Sequence, residues 1–271
     1  MKRLLDFSAA LLGLIFLSPV LLMVVLAIWL HDRGSPFYVA RRMARGGGAF
    51  EMVKFRSMVV NADQSGVNST SGTDRRITPV GRFVRAYKLD EIMQLWNVLR
   101  GDMSLVGPRP QVETDASLYT AEEKRVLTVR PGITDLASIV FADEGDILNG
   151  SRNPDLLYNQ IVRPWKSRLA LLNIEKRTFL IDIRIIFLTV IGLFSRPLAL
   201  KGVQKVLNDW NADELLRRMA CRQEPLLAYP PPGGAARVAM GAGESVGRFR
   251  HGGRRADTAV FVDRPGAVLL G

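Results

Sequence analysis

The sequence predicts an α/β protein that is mostly helical, with one small β-hairpin and an apolar helix near its N-terminal end. Three patterns carry this prediction. Residues 7–30 form a run of 24 positions without a charged side chain, which is long enough for a membrane helix. Residues 36–40 and 50–55 have the composition of two short strands around a basic, glycine-rich turn. Later segments, including residues 89–99, repeat apolar residues at the spacing of an amphipathic helix.

The apolar N-terminal run is divided near its middle by Ser18 and Pro19. A proline inside a helix removes one backbone hydrogen bond and favours a kink. Each half has about 11 or 12 residues and reaches only about half-way through the hydrocarbon layer. The residues alone leave two interpretations open: a transmembrane helix that tolerates its proline, or a helix broken at Ser18-Pro19. The positive-inside rule places Lys2 and Arg3 in the cytoplasm.

Composition narrows the class of partner. The 271 residues include 37 Lys and Arg against 26 Asp and Glu, which gives a net charge of +11 and a pI near 10.3. Such a basic excess calls for nucleic acid, an acidic membrane surface or a phosphate-rich substrate. The apolar run favours the membrane, and no nucleic acid is expected. The lone cysteine, Cys221, excludes an internal disulfide, and two histidines are too few for a zinc cluster.

Residues 88–110 hold the candidate site. Asp90 and Glu91 lie in the first turn of a predicted helix that ends at Gly101, and Arg109 lies between two prolines that stiffen its backbone. The predicted buried face of this helix consists of Leu89, Ile92, Leu95, Trp96 and Leu99. One interpretation makes Asp90 an N-cap and Glu91 a partner of the helix dipole. The alternative follows from the surrounding cations, because a carboxylate pair among arginines suits phosphoanions and a divalent metal; these cations are Arg82, Arg85, Lys88, Arg100 and Arg109.

The same stretch resembles the signature of the bacterial sugar transferases, the monotopic phosphoglycosyl transferases. The matching residues are Asp90-Glu91, Gln94-Leu95, Asn97-Val98-Leu99 and Gly101-Asp102-Met103-Ser104-Leu105-Val106-Gly107-Pro108-Arg109-Pro110. The resemblance implies transfer of a sugar phosphate from a UDP-sugar to polyprenyl (undecaprenyl) phosphate, with release of UMP and a requirement for Mg²⁺. It also implies a place at the bacterial inner membrane, with the catalytic domain on the cytoplasmic face. The oligomeric state stays open.

The resemblance assigns expected roles. Asp90 is the expected nucleophile and forms a covalent phosphosugar intermediate, and Glu91 is the expected Mg²⁺ ligand. Arg85 and Arg109 are expected to bind phosphate. Lys54 and Arg56, in a further matching motif, are weaker candidates for phosphate binding, and Asp102 is a weaker candidate for the metal.

Further implications concern the membrane. In the family the N-terminal helix is re-entrant, so the resemblance favours a helix that is broken at Ser18-Pro19 and returns to the cytoplasmic face. Structural roles are implied for four charged residues in matching motifs: Lys2, Arg3, Asp6 and Asp182. The apolar run 185–194 is too short to span a bilayer, and it fits either an interfacial helix or a plain core helix.

Three parts are predicted for the chain. Residues 1–33 form the re-entrant membrane helix, residues 34–220 form the cytoplasmic catalytic domain with interfacial amphipathic helices, and residues 221–271 form a disordered tail rich in Gly, Pro and Arg. Residues 61–78 are predicted to be an exposed loop.

Apart from Val39-Ala40 and Gly48 in the predicted hairpin, two segments after the candidate site depart from the family pattern. Asp135-Leu136-Ala137-Ser138 replaces the usual sequence in a loop that resembles a substrate-contacting loop of the family, and Asp143-Glu144 adds two acids. These changes indicate either a different sugar or a neutral change of the surface.

Two other functions stay open. A membrane-bound glycosyltransferase would move the sugar alone and release UDP. A basic, membrane-anchored binding protein without catalysis would bind anions with a strong dependence on salt. The acidic pair within the basic cluster argues against the latter, because it would weaken binding to a polyanion.

Overall fold

The computed structural model describes residues 1–62, 74–151 and 153–234, together with 250–251 and 254–255. The middle of the predicted loop 61–78 and most of the predicted tail lie outside the described residues. Helices make up most of the described chain: α1 (Lys2–Asp32), α2 (Pro79–Ala86), α3 (Gln94–Arg100), α4 (Glu113–Ser117), α5 (Leu136–Val140), α6 (Glu144–Ile147), α7 (Pro154–Leu157), α8 (Arg163–Glu175), α9 (Phe179–Phe194), α10 (Arg196–Asp209) and α11 (Glu214–Cys221).

The strands pair two by two: β1 (Phe37–Met43) with β2 (Ala49–Phe55), β3 (Ser104–Val106) with β4 (Gly132–Thr134), and β5 (Arg250–His251) with β6 (Arg254–Arg255). Shorter helical turns are Arg45–Gly47, Leu89–Glu91 and Glu123–Thr128, which are 3-10 turns, and Tyr158–Val162, which is a π turn. The prediction of a mostly helical protein with a small sheet is confirmed. The antiparallel β1–β2 hairpin lies where the sequence predicts it and is longer at the turn.

The largest apolar core lies between α5, α8, α9, α10 and α11. At its centre are Trp165, Leu169, Ile185 and Leu207, all essentially inaccessible to solvent. Two smaller clusters join α1 to the rest of the fold. One packs α1 on β2 and α3, and the other packs the later part of α1 on α2 and the end of β2.

The helix α1 runs through Ser18 and Pro19 without interruption. Pro19 has no N–H to give to the carbonyl of Ile15, and the Ser18 hydroxyl donates to that carbonyl at 2.7 Å instead. The predicted break therefore does not end the helix, because a side chain satisfies the group that the proline leaves free. By length and apolar composition, with a mean hydropathy of 2.9 over an 18-residue window, α1 could cross a membrane.

Charged residues fasten the start of α1 to the domain. Asp6 is buried and accepts hydrogen bonds from the Ser104 hydroxyl at 2.9 Å and the Leu105 N–H at 3.0 Å. Lys2 binds Asp182 of α9 at 2.7 Å, and Arg3 donates to backbone carbonyls at the end of α3. These contacts join α1, β3 and α9 at one point.

The far end of α1 is held by the same domain. Asp32 forms a two-pronged ion pair with Arg56, just after β2. A straight helix of 31 residues would be about 46 Å long, and the same domain contacts both of its ends.

The helix α3 differs from the helix that the spacing of residues 89–99 predicts. It begins at Gln94 rather than near Leu89, and the chain before it forms the 3-10 turn Leu89–Glu91. Its buried side chains are those of Gln94, Asn97 and Val98, whereas Trp96 is 47% exposed. The apolar face packs on α1 rather than in the main core, and so it is only partly covered.

Asn97 explains the buried polar face. Its amide oxygen accepts from the Val53 N–H at 2.9 Å, and its amide nitrogen donates to the Glu51 carbonyl at 2.6 Å. These bonds attach α3 to the open edge of β2, because an edge strand leaves backbone groups unpaired.

The helix α9 is apolar on two sides. Ile185 and Leu188 are buried in the core, while an outward-facing set remains exposed: Leu180, Ile183, Phe187, Val190, Leu193 and Phe194. A plain core helix would not leave so many large apolar side chains uncovered, so this interpretation of residues 185–194 is wrong. The exposed set is typical of a surface that meets a membrane or a partner.

Some residues that follow Cys221 contact α8. The Trp165 indole donates to the Leu227 carbonyl at 2.8 Å, and Arg168 donates to the Pro230 carbonyl at 2.8 Å. The start of the predicted tail thus contacts the domain, and the bounds of the tail stay a prediction.

The parallel β3–β4 pair, in which Ser104 pairs with Gly132 and Val106 with Thr134, was not predicted from the sequence. This strand pair depends on Gly107 and Gly132. A Cβ on Gly132 would lie 2.1 Å from the backbone nitrogen of Gly107, far inside van der Waals contact. The two backbone segments can approach so closely only when neither Gly107 nor Gly132 has a side chain.

We expect Gly132→Ala to lower Tm by several degrees, because the backbone of β3 or β4 must move to relieve the contact. Gly48→Ala is the matched control, since a Cβ there meets nothing within 4 Å. Thermal unfolding in detergent or nanodiscs measures both. Equal Tm values for the two variants would contradict the close approach.

Candidate active site

Asp90 and Glu91 lie on the 3-10 turn that precedes α3. Lys88 starts this turn in the left-handed conformation, with φ of 56°. No side chain caps this turn or α3, so the interpretation of Asp90 as an N-cap is wrong. The turn exposes the two carboxylates to the cations of neighbouring segments.

Two cations bind Glu91. Arg109 Nη2 donates to Glu91 Oε1 at 2.5 Å, and Lys54 Nζ lies 3.8 Å from the same oxygen. Burial favours a raised pKa of Glu91, but the charges of Arg109 and Lys54 and the hydrogen bond from Arg109 outweigh it and hold this pKa well below its usual range. Glu91 is therefore ionised. Within the described chain, its second oxygen, Oε2, accepts no hydrogen bond.

Asp90 has a different environment. Among the described residues, nothing donates a hydrogen bond to its carboxylate or forms an ion pair with it. Burial, and then the charge of Glu91, raise the pKa of Asp90 above its usual value, although the charges of Lys54, Arg85 and Arg109 oppose this rise. Two adjacent acids whose pKa values move apart can take different chemical roles. In the described chain, Glu91 is bonded to its cations, whereas the Asp90 carboxylate has no such bond.

The backbone fixes the position of Arg109. The Gly132 N–H donates to the Pro108 carbonyl at 2.9 Å, and the Gly107 N–H donates to the Thr134 carbonyl at 3.0 Å. The close glycine contact therefore continues directly into the segment that carries the guanidinium. The charge of Glu91 is the main cause of a raised pKa of Arg109, so this cation stays charged.

Lys54 reaches the site from β2. Burial, and then the charge of Arg109, lower the pKa of Lys54 to about 8, while the charges of Glu91 and Asp90 oppose this shift. At neutral pH Lys54 therefore remains mostly protonated and adds positive charge beside the two acids.

The two carboxylates suit a magnesium ion. Mg²⁺ in phosphate-binding sites is commonly held by one or two protein carboxylates and completed by substrate oxygens. Glu91 Oε2 and the carboxylate of Asp90 have free lone pairs. The described residues contain no cluster of three or more His, Cys, Asp or Glu around a common point, so these two carboxylates would be the acidic ligands of a metal bound here.

Comparison with known proteins gives the family. A sequence profile described as "Bacterial sugar transferase" matches residues 1–196. The chain belongs to this bacterial sugar transferase family. It is 40% identical over 196 residues to the undecaprenyl-phosphate glucose phosphotransferase of Komagataeibacter xylinus, which is 70% of this chain and 35% of the relative.

Other relatives have related names. The UDP-glucose:undecaprenyl-phosphate glucose-1-phosphate transferase of Caulobacter vibrioides is 42% identical over 51% of this chain and 53% of its own length. The UDP-N-acetylgalactosamine-undecaprenyl-phosphate N-acetylgalactosaminephosphotransferase of Aeromonas hydrophila is 36% identical over 54% of this chain and 35% of its own length. The chain thus spans about a third to a half of these relatives.

The structure brings together five of the predicted site residues: Lys54, Arg85, Asp90, Glu91 and Arg109. Arg85 lies close enough for its charge to act on Asp90, although it forms no direct bond to it in the described chain. Proximity supports the proposed roles, which stay predictions.

Arg56 does not reach the carboxylate pair. Its Nη1 and Nη2 atoms donate to the two oxygens of Asp32 at 2.8 and 2.5 Å, and its side chain is buried. We therefore correct its role from phosphate binding to fastening α1 to the end of β2.

Asp102 forms its contacts outside the carboxylate pair. Its Oδ2 is 3.3 Å from Asn97 Nδ2 and 3.3 Å from Arg100 Nε. These contacts favour a structural role, and the assignment of Asp102 as a weaker metal candidate stays a prediction.

The sequence analysis missed Lys166, which donates to Glu144 Oε2 at 2.5 Å. Burial favours a raised pKa of Glu144, but the charges of Lys166 and Arg109 lower it below its usual value. The added acids Asp143-Glu144 gave a signal in the sequence, whereas nothing local marks Lys166.

We expect Arg56→Gln and Asp32→Asn each to lower Tm, and the double variant to lose less than the sum, because both changes break one ion pair. Donor affinity should stay near that of the wild type. Arg85→Gln provides the contrast, with weaker donor binding and little change in Tm. A rise in donor KM for Arg56→Gln without a fall in Tm would restore its phosphate-binding role.

Proposed function

We propose that this chain transfers a sugar 1-phosphate from a UDP-sugar to polyprenyl phosphate and releases UMP. The observation that carries the proposal is the contrast between the two acids: among the described residues the Asp90 carboxylate has no hydrogen bond or ion pair, while Glu91 beside it is bonded to Arg109. A free carboxylate surrounded by cations is suited to attack a phosphorus atom that carries negative charge. The names of the relatives support the donor and acceptor classes.

The first step is attack by an Asp90 carboxylate oxygen on the β-phosphorus of the donor. The bond from this phosphorus to the oxygen that bridges the two phosphates breaks, and UMP leaves with that oxygen and its electrons. The product is an acyl phosphate that carries the sugar on Asp90. Arg85, Arg109 and Lys54 supply positive charge to the phosphate oxygens during this displacement.

The second step returns the enzyme to its starting form. An oxygen of polyprenyl phosphate attacks the phosphorus of the acyl phosphate, and the bond between phosphorus and Asp90 breaks. The products are a polyprenyl diphosphate sugar and the free carboxylate. Bound Mg²⁺ would neutralise charge on the diphosphate, and Glu91 Oε2 would hold it in the site.

The assay uses purified protein, Mg²⁺, polyprenyl phosphate and a panel of UDP-sugars, with UMP and UDP measured separately. We expect UMP release that needs Mg²⁺ and falls below about one-thousandth in Asp90→Asn, because the nucleophile is lost. The matched control is Asp102→Asn, which should keep most activity.

Each other result has a clear meaning. Release of UDP would identify a glycosyltransferase. No nucleotide from any donor, together with binding of anionic lipid that Asp90→Asn leaves unchanged, would identify a binding protein. UMP release by Asp90→Asn at the wild-type rate would remove Asp90 from the mechanism.

We also propose that α1 is re-entrant and that both of its ends lie on the cytoplasmic face of the bacterial inner membrane. The contacts of Lys2 and Asp32 with one domain support this topology, as do the exposed apolar side chains of α1 and α9. An enzyme that acts on polyprenyl phosphate has to work at the height of the lipid head groups. A helix that dips into the bilayer would set the height of Asp90.

The topology can be tested in a Cys221→Ser background with one cysteine inserted after Met1 or introduced as Ser35→Cys. We expect an impermeant maleimide to label neither position in intact spheroplasts and both after permeabilisation. Labelling of one position from outside and the other from inside would show a spanning helix and contradict re-entry.

A further inference from the structure

A cleft opens beside Arg109. Its polar lining is provided by Arg109, Tyr119, Asp135, Tyr158 and Lys166, together with Gln111, Arg163 and Ser167. Asp90 and Glu91 do not line it, although Arg109 binds Glu91. Arg109 therefore links the carboxylate pair to a space that the proposed reaction steps do not use.

Several polar groups in this cleft have unused hydrogen-bonding capacity. Within the described chain, the hydroxyls of Tyr119 and Tyr158 make no hydrogen bond. Asp135 accepts two bonds from Ser138, both through Oδ1, and leaves Oδ2 free. Lys166 spends one of its three protons on Glu144. The two hydroxyls without a protein partner, together with the spare bonds of Asp135 and Lys166, offer a polar ligand several hydrogen bonds.

Two neighbouring lining residues, Arg163 and Ser167, are already bonded to a buried carboxylate. Arg163 donates to both oxygens of the buried Glu123, and the Ser167 hydroxyl donates to the same carboxylate at 2.7 Å. The π turn Tyr158–Val162 precedes these two residues and carries one of the free hydroxyls; such turns are frequent at functional sites. The spare capacity is thus confined to the groups at the cleft surface.

The chemistry of the lining suits a neutral ring with several hydroxyls better than a second anion. The Asp135 carboxylate adds negative charge, and each cation of the lining already binds an acid, Arg109 with Glu91 and Lys166 with Glu144. A free carboxylate oxygen accepts from hydroxyls, an ammonium donates to them, and a tyrosine offers both an aromatic face and a hydroxyl.

We propose that this cleft holds the sugar ring of the donor and that Asp135, Tyr158 and Lys166 determine which sugar is accepted. The inference rests on the proposed function, since a phosphate bound at Arg109 would bring the attached sugar to the mouth of the cleft. Asp135 then acts as an acceptor for ring hydroxyls, and Lys166 and Tyr158 act as donors.

The test compares Asp135→Asn, Tyr158→Phe and Lys166→Met with wild type. Asp135→Asn retains an oxygen for the bonds from Ser138, so the start of α5 is preserved. The control is Tyr38→Phe, which removes a hydroxyl from the hairpin outside the cleft. Donor KM, the preference between UDP-glucose and UDP-galactose, and the inhibition constant of UDP are measured for each protein.

We expect the donor KM to rise about tenfold and the preference between the two epimeric donors to change about fivefold or more in the cleft variants. The inhibition constant of UDP, which lacks the sugar that the donor carries on its diphosphate, should stay within about twofold of wild type. A parallel rise in the constant for UDP would place the nucleotide in the cleft and overturn the proposal. Unchanged KM and preference in all three variants would also overturn it.

A failure of the proposed function has a different signature. If wild-type protein releases no UMP, calorimetry with a UDP-sugar and with UDP decides the role of the cleft by itself. Loss of the affinity difference between these two ligands in Asp135→Asn supports the sugar pocket. Retention of that difference, or its absence in wild type, overturns it.

Discussion

The ion pair between Arg109 and Glu91 is the interaction on which the arrangement of the site depends. It keeps Glu91 ionised and separates its chemistry from that of Asp90, the next residue in the chain. It can form only because Arg109 is fixed on a backbone that begins at the contact between Gly107 and Gly132. A short parallel strand pair thus controls the position of a guanidinium several residues away.

A second constraint is the attachment of α1. Most of this helix is apolar and exposed, but Asp6 is buried near its start and Asp32 binds Arg56 at its end. The buried charges of Asp6 and Arg56 require partners, because an unpaired buried charge is very costly. The pairs connect α1 to β3 and to the end of β2, the strand that carries Lys54. The position of α1 and the position of the site are therefore coupled.

Local patterns in the sequence sufficed for the features whose partners lie nearby. The hairpin follows from two strand-like runs and the turn between them, and the acidic pair at Asp90 follows from its immediate neighbours. The role of Arg56 could not be derived in this way, since Lys54 and Arg56 look equivalent in the sequence. Their difference arises from Asp32, which is distant in the chain and reaches Arg56 only in the folded protein.

The same reasoning explains why the start of α3 was misplaced. The apolar spacing of residues 89–99 continues through the 3-10 turn, so it cannot reveal that Lys88 adopts a left-handed conformation or that Asn97 binds the edge of β2. Both features depend on contacts with other segments. Propensity and periodicity predict one continuous helix over residues 89–99. In the structure, tertiary contacts divide this stretch into the 3-10 turn that carries Asp90 and Glu91 and the helix α3.

Residues beyond the part of the chain that matches the family take part in the main core. The match to the bacterial sugar transferases ends at residue 196, yet α10 and α11 supply a large part of the main core. The carbonyls of Leu227 and Pro230 also bind Trp165 and Arg168 of α8, the helix that carries Lys166. Lys166 lines the cleft beside Arg109 together with Asp135, where the chain departs from the family pattern. Residues outside the family match therefore support this part of the cleft.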